Sequence, residues 1–219
     1  MVKINEIFYS IQGEGIHQGI PMVFVRFQGC NLIPRCRYCD TPSALSDRGG
    51  KEMEVKDILD EIGRLSPYYR IWVCITGGEP LWQLDGLEDL VRRLKMGGYQ
   101  ITIETNGTFR PPRWYGLVDS WNADIKCPSS GVCGVSSLEW FKTRFQDQIK
   151  FVVGTKEDLD FARGLIRKHW ADSPVILVSP IFSSIPSGWL QEVAEFCKEE
   201  EVRLSLQLHK VIWGDREGV

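Results

Sequence analysis

The sequence predicts an α/β fold with a largely parallel sheet, and two observations carry that expectation. Short β-rich runs alternate along the chain with segments whose apolar residues recur at helical spacing. Parallel strands need crossover connections, and helices placed between strands supply them. An open barrel and a doubly wound sheet both fit this alternation.

Met22–Phe27 is an apolar, β-rich run bounded by Pro21 and Gly29, as expected of a buried strand that opens into a loop. That loop carries Cys30, Cys36 and Cys39. From Val55 a helix is predicted, with Val55, Ile58, Leu59, Ile62 and Leu65 on one face and Asp57, Asp60, Glu61 and Arg64 solvated. A strand over Ile71–Thr76 leads into Gly77-Gly78-Glu79-Pro80. Leu87, Leu90, Val91 and Leu94 mark the next helix, closed by Gly97-Gly98. Strands over Gln100–Glu104 and Val118–Ile125 come next. A strand over Ile149–Val153, a helix over Leu159–Trp170, a strand over Val175–Val178, a helix over Trp189–Glu200 and a strand over Arg203–Leu208 complete the series. Arg110-Pro111-Pro112-Arg113 and Pro128-Ser129-Ser130-Gly131 read as loops. Barrels and doubly wound sheets both hold their chemistry at the carboxyl ends of the strands. The cysteine loop, the Gly77 to Pro80 segment, Thr105-Asn106-Gly107, Lys126 and Ser179-Pro180 should therefore meet on one rim.

A chain of 219 residues and 25.0 kDa is expected to form one domain over its whole length. Hydrophobic residues at 43% and charged residues at 25% exclude wholesale disorder and fibrous architecture. The net charge of −3 and a pI near 5.7 give no global basic field, so neither nucleic acid nor a membrane is expected as a partner. No apolar run approaches the roughly 18 residues that span a bilayer. Met1 to Glu6 lacks the apolar segment of a signal peptide, and a cytoplasmic location is expected.

Three of the seven cysteines fall between positions 30 and 39. In a reducing compartment such crowding points to metal ligation or redox chemistry before disulfides. Three thiolates from one loop can hold three irons of a [4Fe-4S] cubane and leave the fourth iron open to an exogenous ligand. A structural zinc site is the alternative, and it needs a fourth ligand such as His17 or Cys74. Cys74 lies mid-strand and Cys197 on the apolar side of a helix, both positions for core thiols. Cys127 and Cys133 flank a loop near Lys126 and are too few to hold a second cluster.

Cys36-Arg37-Tyr38-Cys39 and Gly77-Gly78-Glu79-Pro80 together resemble the radical S-adenosylmethionine superfamily. The usual three-residue gap before the second cysteine is five residues here, a departure that bears on the loop's conformation. The resemblance implies a partial, open (β/α) barrel with a mostly parallel sheet. It also implies that Gly77, Gly78 and Glu79 hold the methionyl amino group of S-adenosyl-L-methionine. Without the cysteines, the same segment reads as an ordinary turn.

A narrower resemblance runs through most of the chain. It is carried by Glu6-Ile7-Phe8-Tyr9-Ser10-Ile11-Gln12-Gly13-Glu14-Gly15, by Val25-Arg26-Phe27-Gln28-Gly29-Cys30-Asn31-Leu32 and by Cys39-Asp40-Thr41. Thr76-Gly77-Gly78-Glu79-Pro80, Glu104-Thr105-Asn106-Gly107 and Gln207-Leu208-His209-Lys210 extend it. These segments are similar to the 7-carboxy-7-deazaguanine synthase family. The resemblance implies a lyase that converts 6-carboxy-5,6,7,8-tetrahydropterin to 7-carboxy-7-deazaguanine and ammonia, on the route to queuosine and archaeosine, with hydrogen taken from C6 of the pterin. It implies a [4Fe-4S] cluster on Cys30, Cys36 and Cys39, S-adenosyl-L-methionine, and Mg²⁺ ligated by Thr41, although Asp40 is the more obvious ligand from chemistry alone. Ile11, Gln12, Gly13 and Glu14 would read the edge of the pterin and Arg26 would fork onto its carboxylate, with Thr76 and His209 beside it. Glu104, Lys126, Ser179 and Phe182 would contact the rest of the cofactor. An external one-electron donor and a homodimer follow from the same resemblance. Two other functions stay open: an activase that makes a glycyl radical on a protein partner, and a non-enzymatic zinc-binding module, which would be colourless.

Overall fold

A computed structural model describes residues 1–66, 71–169, 174–182, 188–214, 216 and 218. Its strands are β1 (Val2–Ile11), β2 (Pro21–Phe27), β3 (Lys51–Met53), β4 (Trp72–Gly77), β5 (Gln100–Thr105), β6 (Ser120–Ile125), β7 (Gln148–Val153), β8 (Val175–Pro180) and β9 (Arg203–Leu204). They form one sheet in the order β3-β1-β2-β4-β5-β6-β7-β8-β9, open between its two ends. From β2 to β9 every neighbouring pair is parallel, and β1 is antiparallel to both β2 and β3. This is the partial, open barrel that the sequence predicts.

Helices α1 (Val55–Leu65), α2 (Leu84–Met96), α3 (Lys156–His169) and α4 (Trp189–Glu199) pack against β1, β5, β7 and β8 respectively. Of the residues its spacing marks, α1 buries Val55, Ile58 and Ile62 and leaves Leu59 and Leu65 half-buried against the same core, while α2 buries Leu87, Leu90, Val91 and Leu94. The expected end of the third helix at Trp170 lies outside the described residues. Among the described residues no helix is long and apolar enough to cross a membrane.

Side chains alternate between the two faces of a strand, and that period sorts this sheet. Val23, Val25, Val73, Ile75, Ile101, Ile103, Trp121, Ala123, Ile149 and Phe151 belong to the main core under the helices. The intervening positions near the strand ends carry Arg26, Thr76, Glu104, Asp124 and Lys150, so the concave face is polar at its upper rim. Register places Arg26 beside Thr76 and Asp124 beside Lys150.

Three elements differ from expectation, and the short edge strand β3 is one that the sequence reading did not include. β1 was not among the predicted strands, because its alternation of Val2 and Ile4 is interrupted by a bulge between Ile4 and Glu6 that breaks the period. The last strand stops at Leu204 rather than Leu208. Leu208 instead starts a short helix, α5 (Leu208–Trp213), and its amide donates to Gly13 O at 2.9 Å, which draws the chain across the barrel mouth.

Candidate active site

The carboxyl ends of the strands enclose a cavity of about 620 Å³. The three loop cysteines line it, together with Ile11, Gln12, Gly13, Glu14, Arg26, Thr41, Thr76, Gly77, Gly78, Glu104, Lys126, Phe182 and His209. Most residues singled out in the sequence, from positions 11 to 209, therefore line one cavity. Glu79 and Ser179 do not line it.

The cysteine loop is anchored to its neighbours by backbone bonds. Gly29 N donates to Ala44 O, Cys30 N to Leu45 O and Arg37 N to Ser130 O. Asn106 Nδ2 lies 3.7 Å from Cys30 Sγ and 2.8 Å from Asn31 Oδ1, so an amide from the end of β5 reaches the first thiol. Burial pushes the Cys36 and Cys39 thiols up, and the three sulfurs stand close enough to oppose one another's ionisation. Among the described residues no group of three or more His, Cys, Asp or Glu converges on a single ion. A structural zinc site on these thiols would need a fourth ligand. The candidate fourth zinc ligands are engaged elsewhere: His17 packs on Trp72 with centroids 4.2 Å apart, and buried Cys74 receives Gln12 Nε2.

Gly77 and Gly78 are required by chain packing. A Cβ on Gly77, whose φ is 138°, would stand 2.2 Å from Phe27 O, and one on Gly78 would stand 2.1 Å from Gly29 O. Only glycine lets the end of β4 nest against the end of β2 while its backbone borders the cavity. The expectation that Glu79 receives an ammonium group does not fit its position. Its fully buried carboxylate accepts from Leu81 N at 2.9 Å, Thr105 Oγ1 at 2.8 Å and Asn106 N at 2.6 Å, locking the β4 and β5 ends together. Burial pushes its carboxyl up to about 7 despite these donors. Ser179 is likewise buried within β8, and Phe182, beyond the strand, is the residue that reaches the cavity.

On the opposite wall, Gln12 Nε2 donates to Glu104 Oε1 at 3.1 Å and Thr76 Oγ1 donates to Glu104 Oε2 at 2.9 Å. Gly13 is glycine because a Cβ there would meet His209 Nδ1 at 2.0 Å. Glu14 accepts from Gln207 Nε2 at 2.7 Å, which ties the stretch before α5 to the first turn of chain after β1. Arg26 Nε is 2.8 Å from Glu6 Oε1, and its Nη1 is 3.4 Å from Thr41 Oγ1. Asp40 faces Gln207 Nε2 at 3.3 Å and Lys210 Nζ at 3.5 Å.

The floor carries residues that the sequence reading missed. Lys150 Nζ stands 2.6 Å from Glu14 Oε2 and 3.4 Å from Asp124 Oδ1, while Lys126 Nζ stands 2.6 Å from Asp124 Oδ2. Burial works against the Lys150 charge, but Asp124, Glu14 and Glu104 outweigh it and hold its ammonium well above the usual lysine range. Burial likewise opposes the Asp124 charge, and Lys126 and Lys150 hold it below the usual carboxylate range. The available signal was a lysine between Ile149 and Phe151 in a strand whose other positions from Ile149 to Val153 are apolar, since an unpaired charge is not tolerated there. The Tyr38 hydroxyl is buried at the cavity with no hydrogen-bond partner in the described chain, an orphan that a bound polar ligand can satisfy.

Residues 24–120 match the Radical SAM superfamily. The chain is 41% identical over 214 residues to the 7-carboxy-7-deazaguanine synthase of Methanospirillum hungatei, an alignment spanning 96% of this chain and 85% of that protein. It is 43% identical over 214 residues to the 7-carboxy-7-deazaguanine synthase of Bacteroides thetaiotaomicron, spanning 97% and 98%. A crystal structure of QueE from Escherichia coli superposes with a TM-score of 0.70 at 27% identity, covering 95% of this chain and 94% of that one. A crystal structure of Streptococcus suis SuiB with its precursor peptide, at 16% identity and a TM-score of 0.58 over 84% of this chain and 47% of that one, shares the fold alone.

Proposed function

The chain belongs to the 7-carboxy-7-deazaguanine synthase family within the radical SAM superfamily, and on that premise we propose that its rim cavity is the site of the family's reaction. The substrate is 6-carboxy-5,6,7,8-tetrahydropterin, and the products are 7-carboxy-7-deazaguanine and ammonia. The observation that carries the assignment to these residues is convergence: three loop thiols, the glycine segment, the polar edge at Gln12 to Glu14 and Arg26 all face one cavity.

Cys30, Cys36 and Cys39 would hold a [4Fe-4S] cluster. Gly77, Gly78, Lys126 and Phe182 would border S-adenosyl-L-methionine, and Thr41 would supply a hydroxyl to Mg²⁺, which binds few protein ligands and keeps much of its water. When bound, cluster and cofactor together would supply the one-electron chemistry that removes hydrogen from C6 of the pterin. The chain's own part is recognition and enclosure. Gln12, Glu14 and Glu104 present acceptors and a donor to the pterin edge, and Arg26 presents its Nη edge, beside the Thr41 hydroxyl, to the carboxylate. The strand-end walls and α5 shield the reacting atoms from water. One 219-residue unit, acting in the cytoplasm as a homodimer and fed by an external electron donor, completes this reading.

The test is anaerobic incubation of the reconstituted protein with cofactor, reductant and the carboxytetrahydropterin, followed by mass analysis. Appearance of 7-carboxy-7-deazaguanine supports the assignment. Cofactor cleavage without it returns the protein to the glycyl-radical activases, and a colourless, inert zinc protein overturns it.

A further inference from the structure

Lys150 contacts neither ligand in the reading above, yet it stands between the two halves of the cavity. Its ammonium is 2.6 Å from Glu14, on the pterin side, and 3.4 Å from Asp124, which in turn is 2.6 Å from Lys126 on the cofactor side. The four groups form an alternating chain of two carboxylates and two ammoniums. Their side chains are only 6 to 17% exposed, so each charge depends on its neighbours rather than on water.

We propose that Lys150 is a positioning residue shared by both subsites: by pairing with Glu14 and Asp124 at once, it aims Glu14 at the pterin and Asp124 at Lys126. The inference rests on the functional reading above and extends it to how the two ligands are held. The geometry excludes a purely local role. Glu14 is contributed by the segment after β1, Asp124 and Lys126 come from β6 and the residue following it, and Lys150 lies on β7. Asp124 and Lys150 are register partners on adjacent strands, which fixes one end of the contact by the sheet itself. Glu14, on a loop, has no such support; among the described residues its carboxylate accepts from Lys150 and Gln207 alone. Removing the ammonium therefore leaves Glu14 with no cationic partner among the contacts above and Asp124 with Lys126 alone, so the Glu14 carboxylate must move or take up a proton.

Four variants of the reconstituted holoenzyme separate this role from packing. Lys150→Met keeps the side-chain volume and removes the charge; Lys150→Arg keeps the charge and strains the volume. Affinities for the pterin and for S-adenosyl-L-methionine are each measured by titration calorimetry without turnover, alongside thermal melts. Lys150→Met should weaken both ligands by about tenfold or more, and Lys150→Arg should retain both better than Lys150→Met does. Asp124→Asn should weaken the cofactor more than the pterin, and Glu14→Gln the pterin more than the cofactor. If Lys150→Met binds both ligands as the wild type does, or loses only one, the proposal is overturned. If Lys150→Met does not fold, the opposed selectivities of Asp124→Asn and Glu14→Gln, with binding retained in Lys150→Arg, support it, and their absence overturns it. Wild-type protein that binds neither ligand instead overturns the functional reading, so the two failures are distinct.

Discussion

Glu6 holds Arg26 by its Nε. The two residues are register partners across β1 and β2, with Glu6 Oε1 2.8 Å from the guanidinium. One edge of the fork is thereby occupied, and the Nη edge is turned toward Thr41 and the cavity. A guanidinium oriented in this way can meet a carboxylate with little loss of rotamer freedom. Arg26→Ala should weaken pterin binding by roughly 1.5–3 kcal/mol, the usual worth of a charge-assisted hydrogen bond. Arg26→Lys should recover only part of it, because an ammonium cannot bond Glu6 and substrate along two edges. Glu6→Gln should have a smaller effect in the same direction. Unchanged affinity in a folded Arg26→Ala protein, read by calorimetry, would remove Arg26 from the site.

Replacement of Cys30, Cys36 or Cys39 by alanine should abolish the brown colour and the iron content of anaerobically reconstituted protein. Asn106→Leu makes the subtler experiment. Its amide donates toward Cys30 Sγ from 3.7 Å, and hydrogen bonds to cluster sulfurs are one determinant of reduction potential. The variant should keep its iron and shift its midpoint potential to more negative values, measured by redox titration with electron paramagnetic resonance. A potential that does not move shows that this amide serves only to hold Asn31.

Glu79 gives the stability of the protein a pH dependence. Burial raises its carboxyl from 4.5 in the unfolded chain to about 7 in the fold. The native state thus binds this proton more tightly than the unfolded state. Its contribution to stability is complete below pH 4.5 and is lost as the pH rises through about 7, amounting to about 3 kcal/mol over the window at ~1.4 kcal/mol per unit. Denaturant melts of wild type and Glu79→Gln between pH 4.5 and 8 should differ in slope by this amount. Parallel stability curves would show that the donors from Leu81, Thr105 and Asn106 offset the burial completely.

The path from sequence to this site is uneven for physical reasons. Strand and helix order was legible because the parallel strands are buried under helices whose apolar spacing is unambiguous, as in α1 and α2. The rim followed from topology, since strand ends collect whatever chemistry the following loops carry. Glu79 was misplaced because sequence shows that an acid follows two glycines but not that its carboxylate turns inward to Thr105 and Asn106. Lys150 was passed over because a lone cation in a strand has meaning only once its partners are known, and those partners, Glu14 and Asp124, lie 136 and 26 positions away. Glu6 stood in a segment that carried the resemblance but was not read as a strand, so its pairing with Arg26 across β1 and β2 was not visible.

In the proposed reading Thr41 and the neighbouring Asp40, whose Oδ1 accepts from Thr41 Oγ1 at 3.2 Å, compete for the role of Mg²⁺ ligand, and their further contacts separate them. Asp40 is the stronger ligand by charge, but its carboxylate faces Gln207 and Lys210, where it fastens α5 over the cavity. Thr41 Oγ1 sits 3.4 Å from Arg26 Nη1, so a substrate carboxylate drawn to Arg26 arrives beside the hydroxyl. A cation that keeps most of its water needs only that hydroxyl and the substrate oxygens to be placed. Thr41→Val should therefore lower kcat/KM by on the order of tenfold and abolish stimulation by added Mg²⁺, since losses of that size follow even from removal of outer partners in metal sites. Asp40→Asn should retain the stimulation while loosening α5, seen as faster amide exchange over residues 208–213. Mg²⁺ stimulation that survives in Thr41→Val and disappears in Asp40→Asn would transfer the ion to the carboxylate.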